Sequence, residues 1–263
     1  YAGPTRYDLG ADLGGYLMKD RIWFWGGYNH VKRTEDTEMY TARSSTGTAI
    51  SPLSVENDTK RNLYSGKLTF RLGESHTVAV SAFGDPGTFD GVLQGIVGNP
   101  KANLGTNDFG GTDFSAKWDG IFGTKFLAQV QASRHEEESK NYPLGSESVV
   151  SARNIQFGVS NWYSEGSPYI VREDYQRDNY KAALTVFLGN HEIKGGLDYE
   201  DIQGNYYAAY AGGARVSNVL LADGSLNYVS DRYFAKVRGG GPNCQWRYDA
   251  NGNLVKGDYG TPG

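Results

Sequence analysis

The segment LYSGKLTFRL, Leu63–Leu72, alternates between two kinds of side chain along its whole length. Tyr64 and Leu68 fall on one side of this alternation, and Lys67 and Arg71 fall on the other. Because a β-strand points successive side chains to opposite faces, the segment has one apolar face and one polar face. A helix of this sequence would spread its charges around the whole cylinder. The segment therefore predicts a β-strand.

The same two-residue period recurs along the chain, and short polar turns join the periodic segments in pairs. Such turns favour hairpins, because Gly, Asn and Asp adopt the backbone conformations that a tight connection needs. The four turns are Met18–Arg21, Gly73–His76, Gly123–Lys125 and Gly189–His191. The hairpins that they predict cover about residues 7–36, 61–84, 112–136 and 176–201.

Long polar stretches separate the hairpins, so short and long connections alternate strictly. The last stretch, 202–263, carries two further hairpin signals, Asp223-Gly224 and Asn251-Gly252. Transmembrane β-barrels have short periplasmic turns and long outer loops, whereas a soluble sandwich has no reason to place every short turn at one end. We therefore expect an all-β fold, an antiparallel up-and-down transmembrane β-barrel with about eight strands here. Both ends of the sequence look truncated, so we expect residues 1–263 to be a partial barrel domain.

The composition fits a barrel wall and excludes other classes. Mean hydropathy is −0.55 and 38% of the 263 residues are hydrophobic, as expected when half of each strand faces water. No apolar run is long enough for a transmembrane helix. A net charge of −4 without a basic cluster argues against a nucleic-acid partner. Cys244 is the single cysteine, so it forms no internal disulfide and no CxxC pair.

The first hairpin also carries a family resemblance. DLGGYLMKDRIWFWGGY, Asp12–Tyr28, resembles a strand–turn–strand motif of TonB-dependent outer-membrane receptors, and most of all the Oar-like group, whose members carry a carboxypeptidase-regulatory-like domain. Leu63–Arg71 and His191–Asp201 are similar to later strands of that group. Tyr16 departs from the motif, since Pro is common at that position.

The resemblance implies a 22-stranded barrel in the outer membrane of a Gram-negative bacterium, closed by an internal plug domain. It implies contact with outer-membrane lipid, energy from the TonB complex through a plug and box that lie outside this chain, and uptake of an unidentified extracellular ligand. A passive porin or a surface adhesion barrel without a plug is the alternative. A barrel enzyme would need a convergent His, Asp and Ser set at one rim, and none can be assembled.

Two sets of residues are candidates for a functional role. Aromatic side chains of the last outer loop are predicted either to bind the ligand by stacking or to brace the loop hairpins. Charged residues on the polar strand faces are predicted to face the lumen, where they line a path or, more economically, form salt bridges with a plug. The aromatic set is Tyr206, Tyr207, Tyr210, Trp246 and Tyr248, and the lumen-facing set is Lys67, Arg71, Lys117, Asp119, Lys181 and Lys194.

We predict no catalytic residue, metal site or cofactor. The run Glu136–Glu138 is a solvated strand edge in this interpretation, because consecutive carboxylates on a strand point to opposite faces and hard cations need converging oxygens. The four histidines show no ligand spacing. Asp249–Asn253 begins like a calcium loop but lacks the required Gly and Glu further on.

Overall fold

The structure is a computed structural model. It describes residues 3–43, 49–94, 99–145, 151–154, 162–167, 170–220, 226–232, 247–248 and 254–255. The elements in chain order are β1 (Thr5–Met18), β2 (Ile22–Arg43), β3 (Ala49–Leu72), β4 (His76–Gly84), β5 (Gly87–Val92), α1 (Pro100–Asn103), β6 (Leu104–Phe122), β7 (Phe126–Pro143), β8 (Ser151–Asn154), β9 (Trp162–Glu165), β10 (Ile170–Leu188), β11 (His191–Ala209), a 3-10 turn (Ala211–Gly213), β12 (Ala214–Leu220), β13 (Leu226–Arg232), β14 (Arg247–Tyr248) and β15 (Leu254–Val255).

One large antiparallel sheet dominates the fold. Its strand order is β1-β2-β3-β4-β6-β7-β10-β11, with β5 paired to both β3 and β6. Within the described part of the chain, β1 pairs with β2 alone and β11 with β10 alone, so the sheet is open at both edges. The predicted all-β antiparallel fold with strands connected in up-and-down order is confirmed.

Strands β4 and β5 form one interrupted path. Tyr64 pairs with Gly84 and Arg61 pairs with Gly87, which is the same register against β3 on both sides of the interruption. Pro86 lies in the gap, where its carbonyl accepts a hydrogen bond from Asn62 N at 2.8 Å. Because proline has no N–H to donate, the ladder breaks at this residue while the pairing continues beyond it. The sheet therefore contains eight strand paths.

Glycine makes room for the kink at Pro86. Gly110, opposite the interruption, has φ 113°, and a Cβ at this position would lie 2.6 Å from the Asp85 carbonyl oxygen. Asp85 bridges the interruption, since its N donates to Gly111 O at 3.0 Å and its Oδ1 accepts from Gly111 N at 3.1 Å. The kink therefore depends on a backbone conformation that only glycine adopts freely.

Register determines which side chains share a face. One row of partners crosses all eight paths without a polar side chain, and we call the face that carries it the apolar face. The row consists of Gly15, Phe24, Leu68, Val80, Ala116, Ala132, Tyr180 and Tyr199. From the short turns outward, apolar residues and glycine dominate this face over about nine residues of each strand, the length with which a strand crosses a bilayer.

Aromatic side chains mark both borders of this apolar band. On the side of the long connections, Tyr28 pairs with Tyr64, and the stacked rings of Tyr180 and Tyr199 lie 6.4 Å apart. At the short-turn end, Trp118 belongs to a three-ring cluster. The rings of that cluster are His76, Trp118 and Phe122, at centroid distances of 5.4–6.2 Å. Such double girdles are typical of barrels at the two membrane–water interfaces.

Beyond the tyrosines the same face becomes charged. Arg134 makes a two-pronged ion pair with Asp178, at 2.7 and 2.8 Å, directly beside the Ala132–Tyr180 pair. Lys32 and Lys60 are opposite each other on β2 and β3. The strands therefore continue above the apolar band as a wall that is polar on both faces.

The strands are longer than the sequence analysis expected. β2 has 22 residues and β3 has 24, so they extend past the predicted hairpin limits at residues 36 and 61. β11 continues to Ala209, past the predicted limit at residue 201. Above the tyrosines both faces of the strands are polar. The hydropathy of successive residues therefore no longer alternates, and the sequence gives no strand signal there.

A second, small sheet joins two of the long connections. Its order is β13-β12-β8-β9, and β12 runs parallel to β8, which lies in the stretch between β7 and β10. Leu220 pairs with Leu226 across the turn signal Asp223-Gly224, which is outside the described residues. Tyr248 pairs with Leu254 around Asn251-Gly252, which is also outside them.

Burial is concentrated at the outer strand ends. The buried apolar residues that are described lie at the ends of strands away from the short turns or in the connections beyond them: Met39, Ala102, Ile170, Ala208, Ala209, Tyr210 and Ala211. Among the described residues, no helix is both long and apolar enough to cross a membrane.

We expect Gly110→Ala to destabilise the native protein by about 1–3 kcal/mol, since the new Cβ meets the Asp85 carbonyl in a backbone region that L-residues avoid. Gly204→Ala is the matched control, because the atom nearest to its Cβ is Tyr175 Cδ2 at 3.8 Å. Urea unfolding in detergent, followed by tryptophan fluorescence, measures both. Equal stability of the two variants would contradict the role of the kink.

Candidate functional site

The face opposite the apolar face brings together all six charged residues predicted to face the lumen. One row of partners on this face runs through Gly14, Trp25, Lys67, Ser81, Ser115, Ser133, Asn179 and Glu200. The next row towards the short turns runs through Tyr16, Trp23, Thr69, Ala79, Lys117, Gln131, Lys181 and Asp198. The remaining three charges, Arg71, Asp119 and Lys194, lie on the same face.

Between β6 and β11 this face is a hydrogen-bonded polar surface. Lys117 Nζ lies 3.1 Å from Asp119 Oδ1, which also accepts a hydrogen bond from Gln129 Nε2 at 2.8 Å. Lys181 Nζ lies 3.1 Å from Asp198 Oδ2 on the neighbouring strand. These four charges are therefore paired within the wall, and each pair is roughly half exposed.

The polar sector is defined by six residues of β6, β7, β10 and β11. They are Lys117, Asp119, Gln129, Gln131, Lys181 and Asp198.

Strands β1 and β2 give the same face a different character. Tyr16, Trp23 and Trp25 project from it and are 64%, 36% and 45% exposed. We call these three residues the aromatic patch. A Cβ on Gly14 would lie 3.1 Å from Trp25 Cδ1, so the indole rests closely on the backbone of β1. Near its turn this hairpin is therefore apolar on both faces.

A recess of about 1130 Å³ lies above these rows on the same face. In it, His135 on β7 contacts its partner Asp113 on β6, with Nδ1 3.0 Å from Oδ2, and its Nε2 lies 3.6 Å from Glu137 Oε2. Arg61 pairs with Asp85 at the kink and places its guanidinium 5.5 Å from the centre of the Phe109 ring. This cluster was not predictable from the sequence, because only the register brings Asp113 opposite His135.

The predicted aromatic residues whose side chains are described do not gather on one surface. Tyr206 and Tyr207 are consecutive residues of β11, so their rings leave opposite faces of the sheet. Tyr207 stacks with Arg172, whose Cζ is 5.9 Å from the ring centre, and Tyr210 is buried, with 4% exposure. Trp246 lies outside the described residues, and Tyr248 belongs to the short strand β14.

Hydrogen bonds and ion pairs above the apolar band shift acid–base equilibria, among them those of Asp58 and Lys32. A hydrogen bond from Thr34 and another from Lys32 hold the pKa of Asp58 below its ordinary value. The hydrogen bond to Asp58 correspondingly raises the pKa of Lys32. Within the described ranges, no group of three or more His, Cys, Asp or Glu side chains is arranged to hold a metal ion.

Comparison with known proteins identifies relatives of this sheet. No family model matches the chain. It is 25% identical over 294 aligned positions to the TonB-dependent transporter Oar of Myxococcus xanthus, an alignment that covers 84% of this chain and 27% of that protein. The crystal structure of the outer membrane transporter YddB from Escherichia coli matches with a TM-score of 0.58 at 11% identity, covering 90% of this chain and 30% of that one.

The chain therefore spans less than a third of the length of each protein. The resemblance to TonB-dependent outer-membrane receptors is confirmed, and the large sheet has the fold of part of an outer-membrane transporter barrel. The proteins that it resembles are transporters and not enzymes.

Asp58 provides a test of the charged wall. Its folded-state pKa is depressed, so its ion pair contributes stability above its ordinary pKa of 3.8, and that contribution is lost as pH falls through the folded value. We expect Asp58→Asn to lower the unfolding midpoint at about pH 7 and to have less effect at about pH 3. Glu74→Gln, in the β3–β4 turn, is the control. An Asp58→Asn deficit of the same size at both pH values would contradict this assignment.

Proposed function

We propose that this chain forms part of the barrel wall of an outer-membrane transporter of a Gram-negative bacterium, which takes up an extracellular ligand with energy from TonB. The homology to Oar and the barrel fold support the transport role. In this proposal the apolar face meets lipid and the opposite face meets the lumen, so Lys67, Arg71 and Lys194 are lumen-facing charges together with those of the polar sector.

The apolar band is the physical basis for placing the wall in a membrane. It covers about nine residues of each strand and is bordered by aromatic rings, and the charges of Arg134 and Asp178 begin directly beyond it. Many of its large side chains are exposed, including Leu13 and Leu197 at 69% and 81%. Water would make so large an apolar surface unfavourable, whereas lipid makes it favourable.

The aromatic patch distinguishes a plugged transporter from an open pore. The lumen of a porin is filled with water and its wall is polar. Tyr16, Trp23 and Trp25 would expose large apolar surfaces to that water. A protein domain inside the barrel would bury these rings, so the patch supports an internal plug, and with it the connection to TonB.

The open edges of the sheet favour a larger barrel. A strand edge in lipid leaves N–H and C=O groups unpaired, at a cost of several kcal/mol each. Strands β1 and β11 each have one such edge within the described residues. In this proposal both edges pair with further strands, as they would in a barrel of the length of Oar.

A passive porin or an adhesion barrel remains the second candidate function, and conductance separates it from the first. We expect the native protein in a planar bilayer to show no steady ionic current, because a plug fills the lumen. A steady, ohmic current would overturn the TonB-driven transport proposal in favour of an open pore.

Adjacent residues of β7 test the orientation of the wall. Val130, on the apolar face, is 48% exposed and pairs with Trp118 and Ala182, while Gln131 is on the opposite face. We expect Val130→Arg to destabilise the barrel by about 1–3 kcal/mol, between the costs of Arg near the interface and at the bilayer midplane, and Gln131→Arg to have a far smaller effect.

Urea unfolding in phospholipid vesicles gives both free energies. Equal costs, or a larger cost for Gln131→Arg, would show that the two faces have been interchanged.

A further inference from the structure

Two different kinds of surface lie side by side on the lumen face of the wall, in the same rows of paired residues. In the row that begins at Tyr16 and Trp23, large aromatic side chains occupy β1 and β2, and the change to small or polar side chains occurs at Thr69. From there to Asp198 the row contains no aromatic or large aliphatic residue. The adjoining row changes at the same place, from Trp25 to Lys67.

We propose that the ligand crosses the membrane along the polar sector, between β6 and β11, while the aromatic patch on β1 and β2 is the sealed contact between the wall and the internal domain. This inference rests on the proposed transport function and specifies where in the barrel transport occurs. The ligand class that fits the sector is a hydrophilic, hydrogen-bonding solute of low net charge.

Charge pairing within the wall is the first reason. Lys117 and Asp119 neutralise each other at 3.1 Å, as do Lys181 and Asp198 at the same distance. Side chains that are already paired with their neighbours present no isolated charge to which a solute would bind tightly. A path needs binding that is favourable enough for entry and weak enough for release.

The small side chains between the paired charges are the second reason. Ser115 and Ser133 face each other on β6 and β7, and Ala183 and Gly196 face each other on β10 and β11. Small side chains between the paired charges leave space beside the wall that water can occupy. Hydroxyl and amide groups then offer replaceable hydrogen bonds to a polar solute.

The aromatic patch lacks both properties. Trp25 lies over Gly14, and the exposed rings of Tyr16 and Trp23 present mainly apolar surface. Burying such rings against another protein surface is favourable by about 25 cal/mol per Å². The patch therefore favours a lasting dry contact, and the polar sector favours a wet one.

Thiol labelling tests this division in the native full-length protein, with Cys244 replaced by Ser. Single cysteines are introduced as Lys181→Cys in the polar sector and Trp25→Cys in the aromatic patch, with Val130→Cys as the lipid-facing control. The probe is a membrane-impermeant sulfonated maleimide added to intact cells. Each rate is divided by the rate for the same variant unfolded in urea, which removes differences in intrinsic thiol reactivity.

We expect Lys181→Cys to react at least about tenfold faster than Trp25→Cys, the ratio that corresponds to roughly 1.4 kcal/mol of protection. Val130→Cys should stay unlabelled. Gln131→Cys and Trp23→Cys form a second pair with the same expected ratio, in case one of the first variants fails to assemble in the membrane.

The other outcomes separate failure of this inference from failure of the proposed function. Slow labelling in both regions, or faster labelling at Trp25→Cys than at Lys181→Cys, would overturn the path along the polar sector while leaving a plugged transporter intact. Fast and equal labelling in both regions would indicate an open lumen and would overturn the proposed function as well.

Discussion

Backbone hydrogen bonding between neighbouring strands is the constraint on which the structure depends. In lipid no water replaces a missing strand partner, so the pairing must be continuous across the wall. Phe24 pairs with Leu68, and Leu68 pairs with Val80. Because side chains alternate along a strand, these pairs determine the face of all remaining side chains on β2, β3 and β4. A slip of one residue would exchange the apolar band with the charged rows. The register therefore determines which side chains form the apolar face and which form the opposite face.

Interruption of the pairing is tolerated only where water is available. The Pro86 kink lies just beyond Tyr64 and its partner Gly84, outside the apolar band, and Asp85 bridges it through the backbone of Gly111. The same region contains the recess with Asp113 and His135. The kink and this recess thus lie together above the apolar band.

The two-residue alternation of the sequence predicted the strands within the apolar band but not their continuation above it. Alternation is clear where one face must be apolar, so the strand at Leu63–Leu72 and its polar residues Lys67 and Arg71 were predictable. It vanishes where Lys32 faces Lys60, because both faces are then polar and no hydropathy signal separates strand from loop. Long-range partners leave no local trace at all, as with the parallel pairing of β8 and β12.

Site prediction shows the same division. The common face of the six charges predicted to face the lumen follows from alternation alone, whereas the grouping of aromatic residues depended on where β11 ends. Its extension to Ala209 puts Tyr206 and Tyr207 on opposite faces, which a loop would not require. The aromatic patch was present in the quoted motif Asp12–Tyr28, but the significance of Trp23 and Trp25 became visible only when the register assigned them to the face opposite Leu68.

The most direct measurement is the environment of two adjacent β7 positions in the native protein. Nitroxide spin labels attached to Val130→Cys and Gln131→Cys in phospholipid vesicles report their collision rates with oxygen, which is enriched in lipid, and with a water-soluble nickel chelate. The account predicts that the label at 130 collides with oxygen and is shielded from nickel, while the label at 131 shows the lower oxygen accessibility of a lumen site. High nickel accessibility at position 130 would contradict it, because the apolar face would then be in water.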